Sequence, residues 1–245
     1  MSSEPTVLLL GATGRTGGRV LNQLLSRGVR VRAVVRSAER LPADAADHPN
    51  LTVVVADLLS LSDEDLARQV QGCEAIISCL GHSASLQGFF GSPRDLVTQA
   101  TKRVCRAIQT VRPVQPVRLV LMSSVSVNHP GGLDTRRGWF EKAVVWMLRG
   151  LVPPARDNQR AADFLYNDIG TAGRHVQWVA VRPDSLLEGD VTPYALHETL
   201  VSSLFRPDQT NMANVARFMC ELVTDPEVWA AWQGKLPVIV NASPP

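Results

Sequence analysis

Residues 7–10 read Val-Leu-Leu-Leu, and the next eight read Gly11-Ala12-Thr13-Gly14-Arg15-Thr16-Gly17-Gly18. Four consecutive apolar residues make a short strand buried on both faces. Glycines at G-x-x-G-x-x-G spacing then turn the chain into a helix over residues 19–26. Glycine is needed where a turn adopts dihedrals that side chains resist and where backbone must approach a ligand closely. The helix starts with unpaired N–H groups at the positive end of its dipole, a seat for a pyrophosphate. A glycine triplet alone is a weak signal; a strand before it and a helix after it are the context of a dinucleotide-binding turn. The competing reading is a tight strand-to-helix turn with no ligand.

The second strand, residues 29–35, ends at Arg36. An NAD site places Asp or Glu near this point to accept from the ribose 2′-hydroxyl, yet no acid comes before Glu39. A guanidinium cannot accept that bond, but it clamps a phosphate bidentately. With Arg15 in the glycine turn as a second positive charge, the residues point to NADP(H) rather than NAD(H). The alternative is a solvated arginine that merely ends a strand.

The rest of the chain narrows the class. Its 245 residues are 45% hydrophobic, enough for one large core, so residues 1–245 are read as a single unit. A net charge of +2 and the lack of any Lys/Arg block argue against nucleic-acid or membrane partners. Cys73, Cys79, Cys105 and Cys220 show no C-x-x-C spacing, so no metal site or disulfide framework is expected. Cys79 and Cys220 lie in apolar runs and read as small core residues. The polar first six residues do not resemble a secretory leader, and the expected location is cytoplasmic. The apolar stretch 143–152 is broken by Arg149 and Gly150 and is too short to span a bilayer.

Further strands are predicted at 51–56, 75–79, 117–122, 176–181 and 238–240, with helices at 62–70, 95–111 and 214–223. Ser62 is the expected N-cap of the second helix, and Pro183 stops the sixth strand. This alternation predicts an α/β fold, a Rossmann-like doubly wound parallel sheet with helices on both faces. Such sheets bind ligands beyond the carboxyl ends of their strands. From about residue 186 onward the chain reads as turns, one helix and little sheet, a small C-terminal subdomain on the substrate side.

Taken in order, GATGRTG, the arginine after strand two, Ala56-Asp57-Leu58, Leu80-Gly81, Ser123-Ser124 and Val181-Arg182-Pro183 resemble the short-chain dehydrogenase/reductase superfamily over residues 6–225. The resemblance is closest to its atypical, NmrA-like and flavin (biliverdin-IXβ) reductase-like branch. It implies cofactor contacts from Gly11, Thr13, Gly14, Arg15, Thr16, Gly17 and Arg36. It also implies that Asp57 hydrogen-bonds the adenine amino group while Leu58 packs on the ring. Leu80 and Gly81 would run beneath the adenosine ribose and diphosphate. Ser123 would lie beside the cofactor, Ser124 would hydrogen-bond the reacting carbonyl, and Pro183 would begin the loop that shapes the nicotinamide pocket. Plainer roles compete: Asp57 as a cap for the turn before Ser60, and the serines as partners for backbone at a strand end.

The departures from that family carry equal weight. Typical members place Tyr-x-x-x-Lys on the helix after strand five, the tyrosine acting as acid or base. Aligning the acid found near the middle of that helix with Asp163 puts Ala155 in the tyrosine place and Gln159 in the lysine place. Neither transfers a proton, although Gln159 can donate to a ribose hydroxyl or to the carboxamide. Tyr166 is out of register. His82, His129, Tyr194 and Asp184 are the candidate substitute acids. The apolar segment containing Trp139, Phe140, Trp146 and Leu148 reads as a lid over a flat acceptor, a face for a second subunit, or a helix packed on its own chain. Trp229 and Trp232 read as packing of a terminal helix. Three functions stay open. The first is NADPH-dependent hydride transfer to a planar conjugated acceptor (flavin, quinone or enone-like), which needs no tyrosine. The second is a non-catalytic NADP(H)-binding redox sensor of the NmrA-like type. An epimerase or dehydratase is third, since those reactions rely most on the tyrosine. The expected partner is a small-molecule acceptor, and the expected state is monomer or homodimer.

Overall fold

The computed structural model describes residues 6–81, 94–136, 138, 141, 144, 147, 153–203 and 205–242. Strand β1 (Thr6–Leu10) sends Val7 and Leu9 to one face and Leu8 and Leu10 to the other, and all four are buried. Alternation on a pleated strand makes a run of apolar residues serve two cores at once. Val7 and Leu9 pack with Val20, Leu21 and Leu24 of α1 (Arg15–Ser26) and with Phe218 and Met219 of α5 (Met212–Thr224). Leu8 and Leu10 pack with Leu66 of α2 (Asp63–Val70), Val104 and Ile108 of α3 (Leu96–Val111), and Ala161 of α4 (Pro153–Phe164). Each fully buried Leu, Ile or Phe stabilises the fold by about 1.5–3 kcal/mol relative to exposure.

The remaining strands are β2 (Arg30–Val35), β3 (Leu51–Val55), β4 (Ala75–Ser78), β5 (Val117–Met122), β6 (Val176–Pro183), β7 (Ser185–Leu187), β8 (Tyr194–His197), β9 (Gln209–Asn211) and β10 (Val238–Asn241). Eight form one sheet in the order β3-β2-β1-β4-β5-β6-β10-β8, parallel throughout except for β8 against β10. The order reverses between β1 and β4, and that switch point opens a crevice at the carboxyl ends of the strands. The doubly wound sheet read from the sequence is the fold.

Three details differ from expectation. Helix α1 begins at Arg15 rather than at residue 19, so Gly17 and Gly18 lie inside its first turns. Pro153 and Pro154 open α4 instead of merely stopping the segment before it, because proline is tolerated in a first turn whose N–H groups lack partners. Beyond residue 186 there is more sheet than expected: besides the expected β10, β8 extends the main sheet and β7 pairs with β9, and α6 (Pro226–Trp232) follows α5. Those strands are only three or four residues long, too short for period-two patterning to stand out.

Local capping follows the residues. Ser62 accepts from the Asp65 N–H as the N-cap of α2, as expected, and Asp225 accepts from Glu227 and Val228 at the start of α6. Helix α3 is capped from outside: Asp157 of α4, 1% exposed, accepts from the N–H groups of Val97 at 2.8 Å and Thr98 at 2.9 Å. This buried carboxylate locks α3 to α4 at the end nearest the crevice.

Candidate active site

The glycine turn sits at the switch point between β1 and β4. Gly11 has φ +81°, and a Cβ there would lie 2.7 Å from the Cys79 carbonyl oxygen. A Cβ on Gly17 would lie 2.0 Å from the Gly11 carbonyl oxygen. These two glycines therefore let α1 close down on the turn, which is why the spacing is G-x-x-G-x-x-G. Gly14 is the N-cap, and no side chain caps α1. The first helical bond runs from the Gly18 N–H to the Gly14 carbonyl at 2.8 Å. The N–H groups of Arg15, Thr16 and Gly17 precede it. An uncapped helix start beside a close backbone approach fits a pyrophosphate. Thr13 is half-buried and Thr16 buried at the same turn.

Around this turn the candidates divide. Arg36 follows the last residue of β2, is exposed, and makes no hydrogen bond or ion pair with any described residue. Its charge stands at the carboxyl edge of the sheet. Arg15 is paired: its Nε and Nη2 reach Glu188 Oε1 at 3.0 and 2.7 Å, and Arg19 binds the other Glu188 oxygen. Asp57 is exposed, and its carboxylate accepts from the Leu59 N–H at 3.1 Å and the Ser60 hydroxyl at 3.4 Å. The turn-capping role is thus present. Leu58 is buried among Leu66 and the α3 residues, so it offers no face to a ring and belongs to the core. Leu80 and Gly81 lie next to the glycine turn, Leu80 half-buried and Gly81 exposed with open space at its Cβ position. A residue the sequence did not single out holds this edge in place. Arg103 of α3 donates to the carbonyls of Leu58 at 2.8 Å and Leu59 at 2.7 Å.

Beyond β5, the two serines behave differently. Ser124 Oγ lies 2.5 Å from Ser126 Oγ in a local turn. Ser123 Oγ is buried and has no hydrogen-bond partner among the described residues, while its N–H donates to Val181. A buried hydroxyl without a partner is costly unless a ligand or water completes it. Pro183 closes β6 opposite Ile239, and its carbonyl accepts from the Val125 N–H.

Gln159 is hydrogen-bonded within the chain. Its Oε1 accepts from the Asn128 N–H at 2.9 Å, and its Nε2 donates to the Asn128 carbonyl at 3.1 Å and to Asp163 Oδ1 at 2.8 Å. Both amide hydrogens are in use, so none is left for a ribose hydroxyl. Gln159 instead fastens the loop after β5 onto α4.

The substitute acids are also engaged. The Tyr194 hydroxyl donates to Glu221 of α5 at 2.5 Å, and burial together with that carboxylate pushes its pKa far up. Asp184 is buried and accepts from the Ser185 and Asp208 N–H groups and the Ser202 hydroxyl, which organises the loop behind β7. His129 is buried, its Nδ1 accepting from the Gly131 N–H at 3.0 Å. Burial and the Arg182 charge hold its pKa below the usual value, with Asp134 and Glu198 opposing. It packs edge-on against Tyr166 at 5.3 Å. His82 lies outside the described residues, as do Trp139, Phe140, Val145, Trp146 and Leu148 of the apolar segment.

Behind the site lies a buried charged centre whose pairing no local pattern announces. Arg182, fully buried, pairs with Asp134 at 2.6 Å and donates to the carbonyls of Leu236, Val127 and Glu198. Asp134 also accepts from the N–H groups of His129 at 2.5 Å and Leu200 at 3.0 Å. This pair ties the loop after β5 to the carboxyl end of β6 and to the C-terminal region. Elsewhere the four cysteines are free and buried, Cys79 and Cys220 in the core as expected, with burial pushing Cys105 and Cys220 up to about 12. Among the described residues no cluster suits a metal ion, and no helix is long and apolar enough to cross a membrane.

Known proteins place this geometry. Residues 11–226 match the family model described as NAD(P)H-binding. An NAD-dependent epimerase/dehydratase of Aspergillus flavipes is 28% identical over 205 residues, which is 76% of this chain and 53% of that protein. The chain spans about half the length of the curated relatives it matches, 42% and 53% of the first two. A short-chain dehydrogenase/reductase from Veillonella parvula, solved with NADP, superposes with TM-score 0.69 at 13% identity, covering 98% of this chain and 96% of that one. A proposed NADH-flavin reductase from Streptococcus pneumoniae gives TM-score 0.65 at 16% identity, covering 97% and 100%. The match across the glycine turn and most of the sheet shows that the chain belongs to the NAD(P)H-binding family, a Rossmann-fold protein whose cofactor is a nicotinamide dinucleotide.

Proposed function

We propose that the protein is a cytoplasmic, NADPH-dependent reductase that delivers hydride to a planar conjugated acceptor of the flavin, quinone or enone type. The observation that carries this reading is the state of the described candidate acids: Tyr194 and Asp184 are engaged within the chain, and His129 is buried with its pKa held below the usual value. Gln159 is locked to Asn128, Tyr194 to Glu221 and Asp184 to its loop, and Ala155 has no proton to give. An aldehyde or ketone reduced to an alcohol needs a proton at its oxygen. A conjugated ring takes hydride at nitrogen or at a remote carbon and can collect its proton from solvent. The nicotinamide would supply the hydride. The chain's own groups do the rest: the N–H groups of Arg15, Thr16 and Gly17 hold the diphosphate, and Asp57 and Gly81 border the adenosine. The buried Ser123 hydroxyl completes its hydrogen bonding on the nicotinamide side. Ser124 accepts from the Ser126 N–H, and its hydroxyl would polarise the acceptor.

The preference for NADPH over NADH rests on Arg36, a guanidinium with no partner among the described residues where an NAD site would carry an acid. Arg36→Ala should weaken NADPH about tenfold or more and leave NADH within twofold, since a charge-assisted contact to phosphate is worth about 1.5–3 kcal/mol. Fluorescence titration of both cofactors tests it. Equal NADPH affinity in parent and variant removes Arg36 from the site.

A further inference from the structure

Three charged side chains meet over the glycine turn in an arrangement the reading above does not use. Arg15 is the first helical residue of α1 and Arg19 lies one turn on, so both guanidinium groups project from one face of the helix start. The Glu188 carboxylate bridges them, one oxygen on Arg15 Nε and Nη2, the other on Arg19 Nη2. Arg19 also donates to the Arg15 carbonyl at 2.8 Å, which fixes the fork. A carboxylate held by two guanidinium groups beside uncapped helix N–H groups occupies the kind of seat a phosphate takes.

Glu188 comes from the other side of the crevice. It follows β7, whose pairing with β9 ends at Leu187 opposite Asn211. The next residue, Gly189, has φ +151°, and a Cβ there would meet Asn211 Nδ2 at 2.9 Å. Only glycine suits that position, so Glu188 ends the ladder at a pivot. The side chains of Arg15, Glu188 and Arg19 are 66%, 58% and 32% exposed. Ion pairs this wet are weak and exchangeable, so a phosphate, with more charge and more acceptor oxygens, can displace the carboxylate.

Resting on the reading of a dinucleotide site, we infer that Arg15 and Arg19 form a phosphate seat for the cofactor. Glu188 is its resident competitor, a latch that holds the segment after β7 down until the cofactor enters. Glu188 is thereby an affinity-setting residue, and cofactor binding releases the exposed apolar residues Leu186 and Leu187 of β7 on the acceptor side. The phosphate engaged is either the diphosphate or the 2′-phosphate, and two cofactors separate them.

The test is a titration of NADPH and of NADH into the wild-type protein, Glu188→Gln, Arg15→Gln/Arg19→Gln and the triple variant, followed by hydrogen exchange at residues 185–191. Glu188→Gln should tighten NADPH about three- to tenfold, the scale of losing two exposed ion pairs. That gain should vanish in the background lacking both arginines, an interaction a merely structural glutamate would not show. Exchange at residues 185–191 should rise when NADPH binds the wild type. A gain shared by NADH assigns the diphosphate, and a gain confined to NADPH assigns the 2′-phosphate. If the wild type binds NADPH and Glu188→Gln binds it no better, the latch is wrong while the cofactor site stands. If the wild type binds neither dinucleotide, the site itself is wrong and the latch falls with it.

Discussion

Asp134→Leu should cost about 3–5 kcal/mol of stability, enough to leave a large share of the chain unfolded at moderate urea. The substitution strands Arg182, a fully buried guanidinium, without its carboxylate. It also removes the acceptor for the His129 and Leu200 N–H groups. The double variant Asp134→Leu/Arg182→Met should recover much of the loss, because an apolar pair avoids the cost of an unpaired buried charge. Urea denaturation at pH 7 of the wild type and both variants measures this. The pH dependence has a definite sign. Burial raises the Asp134 pKa, but Arg182 outweighs it, and the result lies below the ordinary 3.8. A carboxyl with a depressed folded-state pKa contributes fully above its unfolded value and loses that contribution as pH falls through the folded one. The gap between wild type and Asp134→Leu should therefore be widest above pH 4 and should shrink in stronger acid.

Gly14→Asp should move stability and binding in opposite directions. Gly14 is exposed, has φ −85° and ψ 166°, and a Cβ there meets only the Gly11 carbonyl oxygen at 3.3 Å. Any residue adopts that backbone, and aspartate is a strong N-cap, so the variant should gain a few tenths of a kcal/mol in stability. The same carboxylate takes the N–H groups offered to the diphosphate and repels its charge, so affinity for either dinucleotide should fall about a hundredfold. Thermal melts alongside cofactor titrations read both effects. A destabilised variant that still binds would mean the turn is only a turn.

The architecture was legible because its signals are long or chemically distinctive. The apolar run at 7–10, the glycine spacing, the Ser62 cap and the periodicity of 95–111 each have one plain structural solution, and the doubly wound sheet follows from their order. The site was legible only in part. Gly11 and Gly17 announce a close approach because no other residue permits it. The fates of Gln159, Asp184 and Tyr194 were hidden: each has a partner 18 or more residues away, Asn128, Ser202 and Glu221 respectively. Leu58 misled for a related reason, since a leucine after a strand serves a ring or a core equally well until α3 is packed beside it. The Arg182–Asp134 pair and the Glu188 bridge join segments 48 and 173 residues apart. No local pattern encodes such contacts.

The central claim is hydride delivery from NADPH without a protein acid. It is tested most directly by following NADPH oxidation against flavins, quinones, conjugated ketones and simple aldehydes, with Gly14→Asp as the blank. Turnover confined to flavins, quinones or conjugated ketones, and lost in the blank, is the predicted result. Reduction of simple aldehydes would contradict it by requiring a proton donor that the reading denies. NADPH bound with no turnover of any acceptor would contradict it as well, leaving an NADP(H)-binding sensor in its place.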